Sequence, residues 1–231
     1  YSAAASQSYP DAIVQYLWDF DYDGVTFVAD PVQGVEATHV FPDQGRYTVA
    51  VKVIDDDGSQ SISTMTVDVT NRPPKAVITA STEVDEGATF TVSAQESVTQ
   101  SAPDTLTTFE WDLHYNGVSF VPDTSLGSAT VTFDYAYGDN GTYKIFLRVT
   151  DDDGAMTMAM HTVTVGNLAP AFTTTPVLDA TEDVPYFYDA DAVDPALAND
   201  PLTYSLEVFP AGMSINPATG RITWTPTNAD V

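Results

Sequence analysis

The clearest chemistry in this sequence lies in four aspartates near its start. Asp19, Asp21, Asp23 and Asp30 stand at positions 1, 3, 5 and 12 of a twelve-residue stretch, with Gly24 at position 6. Hard oxygen donors at alternate positions converge when such a loop wraps a calcium ion. The glycine permits the sharp turn, and the carbonyl of Val25 falls at position 7. A second stretch of the same length offers Asp112, His114, Asn116, Gly117 and Asp123. Histidine is a poor calcium ligand, so this loop is expected to bind more weakly or not at all, with Asp112, Asn116 and Asp123 as its ligands. Further along, Asp189, Asp191, Asp194 and Asp200 crowd a short region, and clustered carboxylates need either solvent or a cation. For each group the rival reading is a solvated, empty, Asp-rich turn between strands.

The triplets Asp55–Asp57 and Asp151–Asp153, followed by Gly58 and Gly154, carry the same two readings. Asp-Gly is a common hairpin turn. The sharper alternative places these tips at a junction with a neighbouring module, where shared calcium would stiffen the tandem.

Other chemistries are weakly represented. There are no cysteines, which removes disulfides, thiolate metal sites and thiol nucleophiles. The three histidines are isolated, and no nucleophile elbow or metalloprotease motif occurs. His39 reads as structural, and the chain is expected not to be an enzyme. With 33 acidic residues against 7 basic ones the formal charge is -26, which favours bound cations and disfavours both nucleic acid and an anionic membrane surface. No apolar run is long enough to span a bilayer in this segment.

The elements that position these aspartates follow from an internal repeat. Phe41 to Tyr47 and Val53 to Gly58 return as Tyr137 to Tyr143 and Val149 to Gly154 at an offset of 96. Trp18-Asp19 returns as Trp111-Asp112 at an offset of 93. Tyr47, Val49, Val51 and Val53 alternate with Thr48, Ala50 and Lys52, and Tyr143, Ile145, Leu147 and Val149 alternate with Lys144, Phe146 and Arg148. Period two predicts half-buried strands, and each Asp-Asp-Asp-Gly turn leads into a return strand, Ser61–Val69 or Met156–Val165. Trp18 and Trp111 sit where sandwich folds bury a core tryptophan. Asn71 to Pro74 and Asn167 to Pro170 close the two copies, because proline ends pairing and stiffens a connection. The chain is expected to be all-β, a tandem of immunoglobulin-like β-sandwiches divided at 1–72, 73–167 and 168–231.

Tyr16 to Asp21, His39 to Phe41, Gly45 to Val49 and Val53 to Gly58 together resemble the polycystic kidney disease-type (PKD) repeat, a seven-stranded immunoglobulin-like sandwich. The second copy is similar. Residues 168–231 differ and resemble the cadherin-like, dystroglycan-type putative-Ig module through Gly212 to Gly220. The first copy opens on Ser2 to Ser8, which resembles its second strand, and the last module stops after Trp224-Thr225-Pro226, so both ends are expected to be cut. The resemblances imply a secreted or cell-surface segment of a larger protein or fibre, structural or adhesive, with calcium fixing its junctions. Its expected partners are other modules of the parent chain, further copies of itself head to tail, and a protein or polysaccharide ligand. The alternative is an accessory substrate- or carbohydrate-binding region of a secreted hydrolase.

Overall fold

The computed structural model describes residues 1–123, 125–196 and 199–230. All regular elements among these residues are strands. They fall into two compact units, one made of Tyr1–Lys75, Val98–Thr108 and Val149–Thr157, the other of Ala76–Ser97, Phe109–Arg148 and Met158–Val231.

In the first unit, β1 (Ile13–Asp19), β2 (Gly45–Asp55) and β3 (Gln60–Val69) form an antiparallel sheet with β2 in the middle. Trp18 pairs with Val51 and Tyr47 with Val67. At the hairpin tip Gly58 has φ +84, and the Ser59 amide donates to Asp55 Oδ1 at 2.8 Å. The strand expected at Ser2–Ser8 is instead a single bridge, Ser2 to Glu36. The Ser6 amide bonds back to the Ala3 carbonyl at 3.0 Å, which turns the chain before a ladder can extend. Trp18, Phe20, Val49, Ala3 and Ala37 make the core. A stack of rings runs outward from it through Phe20, His39 (4.2 Å between centroids), Phe41 (4.8 Å) and Tyr47 (4.4 Å). His39 is thus a packing residue, held by its ring face.

The next strands are β4 (Glu83–Asp85), β5 (Phe90–Ser93), β6 (Leu106–Asp112), β7 (Thr132–Tyr135), β8 (Gly141–Asp151) and β9 (Met156–Gly166). One sheet has the order β4-β9-β8-β6 and the other pairs β5 with β7, the two layers a sandwich requires. Along β8 the period-two pattern is clean: Ile145 and Leu147 are fully buried, whereas Lys144 is exposed and Phe146 and Arg148 are partly so. The outer face is covered in a repeated way. The Arg148 guanidinium lies 4.7 Å from the Phe120 ring centre, and in the first unit the Lys52 ammonium lies 4.1 Å from that of Phe27.

Arg148 also meets Glu110 at 2.7 Å, and this hydrogen bond holds the Glu110 carboxyl below its ordinary value of 4.5, against the opposing effect of partial burial. A carboxyl lowered in the folded state contributes stability that is present above the unfolded value and lost as pH falls through the folded one. Glu110→Gln should therefore destabilise by about 1 kcal/mol at pH 7 and by progressively less below pH ~4.5, as read from urea midpoints across pH.

The remaining strands are short: β10 (Ala171–Phe172), β11 (Tyr186–Asp189), β12 (Ala192–Val193), β13 (Ser214–Ile215) and β14 (Arg221–Trp224). Sheets β10-β12 and β11-β14-β13 enclose an apolar groove of about 390 Å³ lined by Phe172, Tyr188, Tyr204, Leu206, Ile215 and Ile222.

Candidate metal centre

The two twelve-residue loops leave β1 and β6 through the buried aspartates Asp19 and Asp112, which do the same job. Asp19 Oδ1 and Oδ2 accept from the amides of Asp21 (3.2 Å) and Val28 (2.8 Å), and Asp112 Oδ1 and Oδ2 accept from His114 (3.1 Å) and Val121 (2.9 Å). Asp23 Oδ1 accepts from Val25 and Thr26, as Asn116 Oδ1 does from Val118 and Ser119. The Thr26 and Val25 amides hold the Asp23 carboxyl below its ordinary value. Asp30 Oδ2 accepts from the Phe20 amide at 2.8 Å, and Asp123 from the Ser125 hydroxyl at 2.7 Å and amide, which lower its pKa. These loops are folded by their own amides, as Asx turns are. No three of the acidic side chains Asp19, Asp21, Asp23 and Asp30 bring carboxylate oxygens within 4.8 Å of one another. Asp21 accepts no hydrogen bond with its carboxylate among the described residues. His114 turns its ring toward Tyr135, Tyr137 and Tyr143 instead of into its loop.

In the last module, Asp194 is buried and caps the Ala196 amide at 2.9 Å, Asp191 accepts from the Ala192 amide, and Asp189 pairs across the sheet with Arg221. Asp200 is drawn into a different company.

Two acidic groups do converge among the described residues: Asp43, Asp104 and Asp153 in the first unit, and Glu86, Asp139 and Asp200 in the second, each with ligand oxygens all within 4.8 Å. Asp43 and Asp139 are the same position of the repeat. Each sits in the corner before the long strand, pinned by a tyrosine four residues on: Tyr47 and Tyr143 donate to the Asp43 and Asp139 carbonyls, both at 3.0 Å. This is the tyrosine corner of immunoglobulin-like sandwiches. Gly45 and Gly141 have φ +153 and +148, which a side chain rarely adopts, and they let the ring fold back over the corner. In the open first group, slight desolvation and the neighbouring Asp43, Asp104 and Asp152 carboxylates push the Asp153 carboxyl up.

In the second group Glu86 is 1% exposed. Its Oε1 accepts from the Leu168 amide at 2.7 Å, and its Oε2 is buried without a hydrogen-bond partner. Tyr143, beside it, has its phenol pushed up by burial and by the Asp139 and Glu86 charges. Of these six residues only Asp153 and Asp200 stand out by their spacing in the sequence. The repeat signals one position of each group, since Asp43 returns as Asp139 at the offset of 96, whereas Asp104 and Asp200 lie in modules of different kinds and share no repeat position.

Immunoglobulin-like sandwiches in tandem, with corner tyrosines and buried core tryptophans, define the class. The chain belongs to the PKD domain family: the PKD domain model matches residues 1–70 and again 71–165, and the Putative Ig domain model matches residues 169–231. Such domains are typically non-catalytic and typical of extracellular or surface proteins. No helix among the described residues is long and apolar enough to cross a membrane. Comparison with curated proteins returns no match. Among solved structures, the PKD1 domain of Vibrio anguillarum Epp is similar at 24% identity over 42% of this chain and 96% of its own, with a TM-score of 0.31. The fibronectin(III)-like modules of Clostridium thermocellum CbhA match at 16% over 69% of this chain and 82% of theirs, TM-score 0.32. The human desmocollin-1 ectodomain matches at 16% identity over 99% of this chain, which spans 49% of it, TM-score 0.29.

Proposed function

We propose that this chain is a structural and adhesive segment of a larger surface or secreted protein or fibre, its modules serving as spacers stiffened by calcium. The observation that carries this reading is how its aromatic and acidic residues are used. A glycan-binding module presents flat aromatic faces to solvent. Here Trp18 and Trp111 are 3% and 1% exposed, with their indole N–H groups donating to the Gly34 and Thr130 carbonyls, both at 2.9 Å. Carboxylates instead gather at the corners that precede the long strands, where a dication would lock neighbouring loops. The first twelve-residue loop is a further place for calcium, since the Asp21 carboxylate takes no part in the loop's own hydrogen bonds among the described residues.

The apolar groove lined by Phe172, Tyr188 and Tyr204 favours the second reading, an accessory region of a secreted hydrolase that holds polysaccharide or protein substrate. One comparison separates them. Small-angle scattering in CaCl2 and in EDTA, with calcium-dependent aggregation of chain-coated beads, should give a narrower distance distribution and aggregation only with calcium. Chelator-insensitive scattering together with retention on a polysaccharide gel would overturn the spacer reading in favour of the accessory one.

A further inference from the structure

We propose that Glu86, Asp139 and Asp200 form a calcium site of the second unit, built on the buried Glu86 carboxylate. The inference deepens the calcium-stiffened spacer reading and names a site for the ion.

Three segments meet at this point and are already tied by backbone. The Gly87 amide donates to the Tyr137 carbonyl at 2.8 Å, the Glu86 amide to the Gly166 carbonyl at 3.0 Å, and Asn199 Nδ2 to the Gly138 carbonyl at 3.0 Å. The loop carrying Asp200 and the corner carrying Asp139 are therefore held beside Glu86 independently of any ion. That arrangement sets a problem in electrostatics. A buried carboxylate with one oxygen unsatisfied is strongly penalised unless a counter-charge is present. The two ion pairs among the described residues, Arg46–Asp68 and Arg148–Glu110, lie elsewhere. Glu86 has no basic partner, and two further carboxylates close upon it. A cation resolves both the desolvation and the repulsion.

The donor set selects the kind of cation. Three carboxylates on loops and a corner offer hard oxygen ligands in irregular geometry, which calcium accepts with six to eight oxygens. Magnesium holds to near-ideal octahedral geometry and keeps several of its waters. Zinc prefers nitrogen and sulfur, which the three residues do not offer. The pairing of Asp43 with Asp104 in the first unit resembles that of Asp139 with Asp200, but that group lacks a buried, unpartnered member and carries no proposal.

The test is calorimetric titration of the 231-residue chain with CaCl2, with MgCl2 as comparator, alongside Tb³⁺ luminescence excited through tyrosine, since Tyr143 adjoins the site. The expected Kd for calcium is about 10⁻⁴–10⁻³ M, as in extracellular modules. Asp200→Asn, on a partly exposed loop, should weaken this site at least ~10-fold and remove most of the terbium signal, while Asp179→Asn, at an exposed carboxylate outside every acidic group, leaves both unchanged. Glu86→Gln should do the same as Asp200→Asn if it folds, and Asp139→Asn supplies a further folded check. Calcium affinity and terbium signal unchanged in both Asp200→Asn and Asp139→Asn would overturn the site. Binding at this site with no calcium effect on scattering would leave the site standing and sink the spacer's calcium stiffening.

Discussion

Trp111→Ala should lower the stability of the second module by about 3–5 kcal/mol, enough to unfold it at ambient temperature if its total stability is ordinary for a small domain. The indole is 1% exposed, stands edge-on to Phe133 with ring centroids 5.1 Å apart, and donates its N–H to the Thr130 carbonyl at 2.9 Å. Truncation leaves a ring-sized cavity that closes only in part, because β8, the strand paired with β6, is itself held on its other side by β9. It also leaves the partly buried Thr130 carbonyl without its indole donor. Trp111→Phe restores most of the volume and not the donor, so it should recover more than half of the loss, the residue being about 1–2 kcal/mol. The measurement is urea unfolding followed by circular dichroism. Because several modules unfold in one chain, the transitions are fitted separately, and the loss should be confined to one of them. A shift of less than ~1 kcal/mol for Trp111→Ala would mean that the tryptophan is not a core element of the module.

Gly220→Ala should destabilise the last module by about 2–4 kcal/mol through two effects that act together. Gly220 has φ +71, where a side chain is strained, and a Cβ there would run into the carbonyl oxygen of Ala190. That carbonyl belongs to backbone that cannot move aside freely, since the Ala190 amide donates to the Gly220 carbonyl at 3.1 Å and the Gly220 amide to that of Asn216 at 2.9 Å. Gly212 provides the control. Its φ is +81, but a Cβ would meet nothing within 4 Å, so Gly212→Ala should show the conformational strain alone, about 1 kcal/mol. The difference between the two variants, read from Trp224 fluorescence during unfolding, isolates the close approach of the backbones. Equal losses at the two glycines would show that backbones do not meet at Ala190.

The repeat carried most of the fold. An offset of 96 between two hairpins established that one unit is used twice, and alternation along Tyr143 to Val149 located a strand whose inner and outer faces the structure reproduces. These features are readable because they arise from what each residue does to its own backbone and immediate neighbours: the pleat alternates side chains, glycine accepts positive φ, and aspartate caps the turn that follows it. The end of a strand could be read to within a residue or so, as with Gln60 in place of Ser61.

The acidic residues divide along the same line. Local spacing drew attention to Asp19, Asp21, Asp23 and Asp30, and it is local hydrogen bonding that occupies several of their oxygens, because the amides of a loop are the nearest donors to its own carboxylates. Glu86, Asp139 and Asp200 have no short-range relation in the chain. Their convergence depends on the corner fixed by Tyr143, on the crossover that places β4 parallel to β9, and on the loop held by Asn199. Sequence alone determined the sandwich class, the repeat and an excess of negative charge that calls for cations; only the tertiary structure decided which carboxylates share a place, because that is set by packing between segments far apart in sequence and leaves no periodic trace.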